Sequence, residues 1–443
     1  MALHCSLHHK YHTLSHTCAL AMIYLKCFQM LSKLKTMLKA ERRAKDHRNE
    51  RNGKKIKKKL RCRGVNVQRD RMGSLRNIES LPDYVFKMIF RLDKETFAEV
   101  LALIDPILVK NRTKGMANVK GNLGSTISST LMLLATLRFL AGGQCYDICL
   151  SLNIGIGSFW GERGVIWPTM RALDEVYEIG ISLNDENEMR KITEEFSAIC
   201  KDGKEEFYGC CMAIDGWVCE TRMPLKKETP DVKSYRNRKG LWGMTVLAGC
   251  DARTKFMMFN CNGSGSANDI LAWRSCHMNN EILKKGRLPT GLFFIGDEAF
   301  GCEDQLLVPW SGRGIGVEKD AFNFHLSVRR QVIERAFGIL TKRWGIFNRP
   351  LNCRLSRWTL VATVAAKMHN LCIDKNIPTV SRYAKDIMRG DAWNVFVNQQ
   401  PDDVQFQVRA SGELTGGRRK AITARLAMQS IRRPPHSQVN SRA

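Results

Sequence analysis

Two apolar runs that each stop on an aspartate constrain this chain more than any other feature. "CCMAID" (residues 210–215) and "LFFIGD" (residues 292–297) are short and continuous, the pattern of strands buried on both faces. An ionised carboxylate beside such a core costs on the order of several kcal/mol unless a positive group compensates it. A fold that holds both strands must therefore supply that compensation twice. "FYGCCMAIDG", "WGMTVLAGCDA" and "KFMMFNCNG" read as successive strands of an antiparallel meander. A helix in "NDILAWRSCHMNNEIL" and the strand in "GLFFIGDEAF" follow, then long helices in "HLSVRRQVIERAFGILTKRWGIF" and "RWTLVATVAAKMHNLCID". The expected class is mixed α/β in layers.

Four acids fall at telling places. Asp215 and Asp297 end strands, Asp269 opens a helix after "NGSGSAN", and Glu334 borders the apolar stripe Ile333, Phe337, Leu340 and Trp344. Gly338, one turn beyond Glu334, leaves space beside it. If the two strands are neighbours, Asp215 and Asp297 emerge side by side and a helix laid across them delivers Glu334. Three converging carboxylates cannot all stay ionised without a cation. Oxygen donors suit Mg²⁺ or Mn²⁺, and such ions can drive in-line cleavage of a phosphodiester. Arg236, Arg238 and Lys239 in "SYRNRKG", with Arg335 and Lys342 on the Glu334 helix, are expected to make the groove basic and to contact DNA. Taken singly, these signals are bland. An Asp after a strand is more often a turn residue or cap, Asp269 an N-cap, and Arg238 and Lys239 a solvated turn.

The formal charge of +27 and pI near 9.7 favour a polyanionic partner. Residues 33–76 hold 18 Lys plus Arg against 4 Asp plus Glu, a net of +14. "KKIKKKLRCR" (residues 54–63) reads as a nuclear address or a phosphate-binding arm on a disordered basic linker. Sixteen cysteines without a CxxC pair indicate reduced, mostly buried thiols and an intracellular protein. His4, Cys5, His8, His9, His12, His16 and Cys18 match no standard zinc-finger spacing. The apolar stretch after them is too short for a membrane span, is broken by Lys26, and lacks the marks of a signal peptide.

Along the chain, residues 1–80 are expected to be a basic, largely disordered tail. Residues 81–200 form a helical region, with Asp93 or Thr96 near one helix start. A helix in "STISSTLMLLATLRFLAGG" stops at Gly142 and Gly143, a second covers 145–152, and Ser158 caps a third. Both a helix-turn-helix and a plain three-helix packing module suit this order. Residues 205–376 are the α/β region, and 377–443 a mostly disordered tail, basic at its end.

"AIDGW", "YRNRKG", "GSANDI", "IGDEAF", "VIERAFGILTKRW" and "KMHNLCID", in this order, resemble the PIF/Harbinger transposase family and its domesticated nucleases. The likeness runs from about 205 to 374, with a fainter one in "FRLDKETFAEVLALI" and "TLRFLAGG". It implies a ribonuclease-H-like mixed sheet with flanking helices, preceded by a helical region. It also implies a DDE triad of Asp215, Asp297 and Glu334, with Asp269 as a further metal ligand. The separations of 54, 28 and 37 residues need no large insertion. Trp217 and Val218 stand where the family usually has Thr or Val and then His, Asn268 and Ile270 flank Asp269 in place of His and Ser, and Phe300 replaces a common Tyr. These departures change the surroundings of the acids and not the acids. The resemblance implies a Mg²⁺- or Mn²⁺-dependent DNA endonuclease or transposase in the nucleus, working with a Myb-like accessory protein. A catalytically silent DNA-binding protein that keeps the fold is the first rival. A basic scaffold for RNA or acidic membrane surfaces, its acids dispersed, is the second. Oligomeric state is open, a homo-oligomer included.

Overall fold

Short polar side chains set several of the helix starts in the first half of the molecule. The computed structural model describes residues 70–110, 127–181, 185–267, 269–312, 314–379 and 417–434, so the basic arm and the His/Cys segment lie outside the described residues. The Asp70 carboxylate accepts the Gly73 amide at 2.7 Å and opens α1 (Arg71–Glu79). After α2 (Asp83–Phe90), Asp93 accepts the Thr96 amide at 2.7 Å and opens α3 (Lys94–Lys110). Ser128 caps α4 (Ser129–Leu140), which ends at Gly142 with φ of 94°. A side chain at Gly142 would lie 2.8 Å from the backbone of Gly345, so this turn is a point of close approach.

Three short helices follow: α5 (Cys145–Ser151), α6 (Ile156–Trp160) and α7 (Ile166–Val176). Ser158, the expected cap of the third helix, lies inside α6 instead. Its carbonyl accepts the Val165 amide at 2.9 Å, closing a turn through Gly161 and Gly164 that delays α7 to Ile166. In α7, Ile166, Trp167, Thr169, Met170, Ala172 and Leu173 are buried, and the helix packs on α3 and α4. Asp185 then caps α8 (Glu186–Ala198).

The strands β1 (Cys210–Glu220), β2 (Gly243–Cys250), β3 (Phe256–Ser264), β4 (Phe293–Ile295) and β5 (Leu306–Leu307) form one sheet in the order β3-β2-β1-β4-β5. The first three are antiparallel neighbours, as the meander reading expects, and β4 joins β1 in parallel. Helices α9 (Asp269–Ser275), α10 (Val317–Arg343) and α11 (Leu355–Asp374) flank the sheet. A mixed sheet with flanking helices behind a helical region agrees with the ribonuclease-H-like expectation. Residues 69–443 form one unit. Helix α11 joins its two parts, packing on β3 and α7, with ion pairs from Lys367 to Asp174 and from Arg357 to Glu162.

The "HN" of "KMHNLCID" has a structural task. Asn370 accepts the Phe256 amide at 2.8 Å and donates to the Phe256 carbonyl at 2.7 Å, pairing α11 with the start of β3 as a strand would. His369 donates from Nε2 to the Thr254 carbonyl at 2.8 Å and is fully buried.

The segment expected to be a disordered tail contains a docked helix, α12 (Gly417–Met428). Ile422 and Leu426 insert against α10, Arg418 donates to the Leu292 carbonyl at 2.8 Å, and Arg419 lies 3.8 Å over the Trp310 ring. Its apolar positions are few and set among arginines, so the sequence reads as a basic tail. Those arginines bind carbonyls and rings.

Leu426 has no exposed surface, so Leu426→Ala is expected to cost about 2–5 kcal/mol in denaturant unfolding. Acid should also weaken the fold through His369, whose imidazole burial pushes down to about 4. An unfolded imidazole titrates near 6.5, so the unfolded chain takes up the proton first. Stability from this residue is complete above pH ~6.5 and lost as pH falls toward ~4, on the order of 3 kcal/mol in all. Unfolding curves at pH 7 and pH 4.5 should show the drop, and His369→Asn should reduce it.

Candidate active site

Asp215 and Asp297 reach the same level of the sheet because their strands run parallel and side by side. The last paired residues are Ala213 and Ile295, and each aspartate lies two positions further on. Asp215 is half-buried, and its Oδ1 accepts the Gly216 amide at 2.8 Å. Asp297 is exposed and caps the single turn Glu298–Phe300, its Oδ1 accepting the Glu298 amide at 2.6 Å. Helix α10 crosses β1 and carries Glu334 on its exposed side. A side chain at Gly338 would find no atom within 4 Å, so the surface beyond Glu334 is open as expected.

Asp215 and Glu334 meet on an arginine. Arg330 Nη1 lies 2.8 Å from Asp215 Oδ2, and Nη2 lies 2.7 Å from Glu334 Oε1. One guanidinium thus spans a strand end and a helix, each arm making a charge-assisted hydrogen bond. Sequence reasoning missed Arg330. The signal was available, because a residue four before Glu334 on a helix shares its face. Asp269 stands at the first position of α9, and its side chain lies outside the described residues. Among the described residues no three His, Cys, Asp or Glu side chains gather as a metal-holding group. Carboxylate oxygens suit a hard divalent ion, yet the Arg330 guanidinium stands between Asp215 and Glu334. As arranged, the residues do not fit a metal at that pair.

Trp217, on the same face of β1 as Asp215, stacks on Phe337 at 5.7 Å between centroids and meets the Phe347 ring edge-on at 5.3 Å. These contacts pin α10 beside Asp215, with Phe337 one turn from Glu334.

The expected basic residues split between two places. Arg335 and Lys342 are exposed on α10. Arg236, Arg238 and Lys239 belong to a tight hairpin closed by the Arg236–Trp242 bridge. The Asn237 Oδ1 accepts the amides of Lys239 and Leu241, each at 2.9 Å, and Gly240 takes φ of 80°. Arg236 donates back to the Gly240 carbonyl at 3.2 Å and lies 6.0 Å over Trp242, so it braces the turn. Arg238 and Lys239 project at the tip, and among the described residues neither makes an ion pair.

Residues 214–370, which carry all four acids, match the model of the DDE superfamily endonucleases. This segment is homologous to the Harbinger-type DDE nuclease domain. Similar curated proteins share the name HARBI1 and are described as candidate nucleases. The human protein is 27% identical over 143 residues, 32% of this chain and 40% of that protein. The Bos taurus protein is 24% identical over 220 residues, 49% and 59%, and the Rattus norvegicus protein 24% over 185 residues, 41% and 49%. The chain thus spans about two to three fifths of the relatives it matches. No solved structure matches. Among the described residues, no helix is long and apolar enough to cross a membrane.

Asn237→Ala removes both hydrogen bonds that the Asn237 side chain accepts in the hairpin. The Lys239 and Leu241 amides should then exchange with solvent at least tenfold faster by mass spectrometry or NMR, with the β1–β2 amides unchanged.

Proposed function

We propose that the chain is a DNA-binding protein that keeps the Harbinger-type nuclease fold while its acids stay silent in hydrolysis. One contrast carries this reading. The cations at the hairpin tip are unpaired among the described residues, whereas Asp215 and Glu334 are already paired through Arg330. Arg238 and Lys239 sit on a turn whose shape is set before any partner arrives, so binding a phosphate orders little else. Arg335 and Lys342 extend the positive surface along α10, and the charge of +27 supplies long-range attraction to a polyanion. The homology of residues 214–370 supports DNA as the polyanion. Nuclear residence and a Myb-like accessory protein belong to the same proposal, resting on the basic arm and on the resemblance.

A second reading, metal-dependent hydrolysis with strand transfer, draws on one observation. Asp215 and Asp297 stand level on neighbouring parallel strands, with Glu334 on the helix that crosses them.

Mobility shift of duplex DNA across a salt series tests the first reading. Arg238→Ala/Lys239→Ala should weaken binding and flatten the slope of log K against log salt by about 1.8, at about 0.9 per lost phosphate contact. No shift with the intact protein would sink DNA binding. On supercoiled plasmid in Mg²⁺ or Mn²⁺, the silent reading expects no more nicking than Asp297→Ala gives. Metal-dependent nicking that vanishes in Asp297→Ala would establish the second reading instead.

A further inference from the structure

The exposed end of the Arg330 bridge makes it an openable contact. Glu334 is 52% exposed, whereas Arg330 and Asp215 are 19% and 21% exposed. The helix itself cannot shift to release the arginine. Its neighbour Arg329, fully buried, donates to the carbonyls of His325, Cys200 and Gly203, and its guanidinium lies 4.5 Å from the Phe207 ring centroid. That neighbour fixes α10 in register, so any change at the acids falls to the Arg330 and Glu334 side chains. The open surface at Gly338 gives Glu334 room to turn.

We infer that Arg330 is an internal gate: its guanidinium and a divalent cation are mutually exclusive partners of Asp215 and Glu334. A cation seated between these two acids would stand against a fixed positive charge that arginine cannot shed, so the guanidinium must leave first. The group best suited to draw it away is a phosphate, whose oxygens accept both arms of a guanidinium as a carboxylate does. On this view the silence of the acids is conditional. The inference deepens the preceding reading by naming the residue that enforces the silence.

The test is Mn²⁺ binding to the full chain, followed by electron paramagnetic resonance of the free ion, with no DNA present. Arg330→Gln removes the charge and is expected to bind one Mn²⁺ at least tenfold tighter than the unaltered protein. Arg330→Gln/Asp215→Asn should lose the gain. Equal binding by Arg330→Gln and the unaltered protein overturns the gate, as does a gain that persists without the Asp215 carboxylate. Melting curves establish that each variant is folded. Should Arg330→Gln not fold, Arg330→Met removes the charge and keeps an apolar stem of similar length. It should still bind Mn²⁺ at least threefold tighter than the unaltered protein, and equality there also overturns the inference. A failure of DNA binding appears in the mobility shift alone and leaves the Mn²⁺ result standing.

Discussion

A buried arginine decides where everything near the acids lies. Arg329 has no exposed surface, keeps its charge, and therefore needs carbonyl partners from two directions. It finds the Cys200 and Gly203 carbonyls ahead of β1 and the His325 carbonyl on its own helix. Helix α10 is tied in this way to the chain that enters the central strand. One residue further round the helix, Arg330 faces Asp215, and two turns on, Phe337 closes over Trp217. The separation between Asp215 and Glu334 is thus a property of the core, set by packing that does not involve either acid.

The same logic explains how charge is sorted over the molecule. Arginines that look alike in sequence serve opposite ends. Arg418 and Arg419 bind carbonyls and rings, and Arg236 holds its own hairpin. Arg238 and Lys239 have no such employment among the described residues. A count of positive residues treats all five alike, although the partners already held decide which can meet a phosphate.

Much of the sheet was legible because buried strands leave continuous apolar runs, and "CCMAID" and "LFFIGD" end where β1 and β4 release their aspartates. The neighbouring placement of those ends does not follow from the meander, because β4 returns past β2 and β3 to lie parallel on the other side of β1. Ser158 misled because its side chain suits a cap, while the glycines at 161 and 164 hold the chain in one more turn first. Arg330 stayed hidden because "VRRQVIER" reads as a basic face. Only the helix register separates the buried Arg329 from the site residue beside it. "KMHNLCID" pointed to the family, yet His369 and Asn370 act on the backbone of Thr254 and Phe256, where a motif marks architecture and not chemistry. Asp297 was expected to need a cation. Its solvent exposure and the Glu298 amide meet part of that need locally.

The position of α12 has a consequence for biosynthesis. Arg418 and Arg419 hold the carbonyls around β4 and β5, and β5 is one of the two edge strands of the sheet. These contacts come from residues 417–428, far along the chain from β5 at Leu306–Leu307. While the chain grows on the ribosome, the parallel half of the sheet is synthesised before the arginines that bind the carbonyls flanking it. These carbonyls of the nascent protein therefore wait for residues 417–428 before they meet their arginines. A premature stop codon anywhere before residue 417 would leave the carbonyls of Leu292 and Pro309 without these arginines, whether or not residues 214–370 are complete.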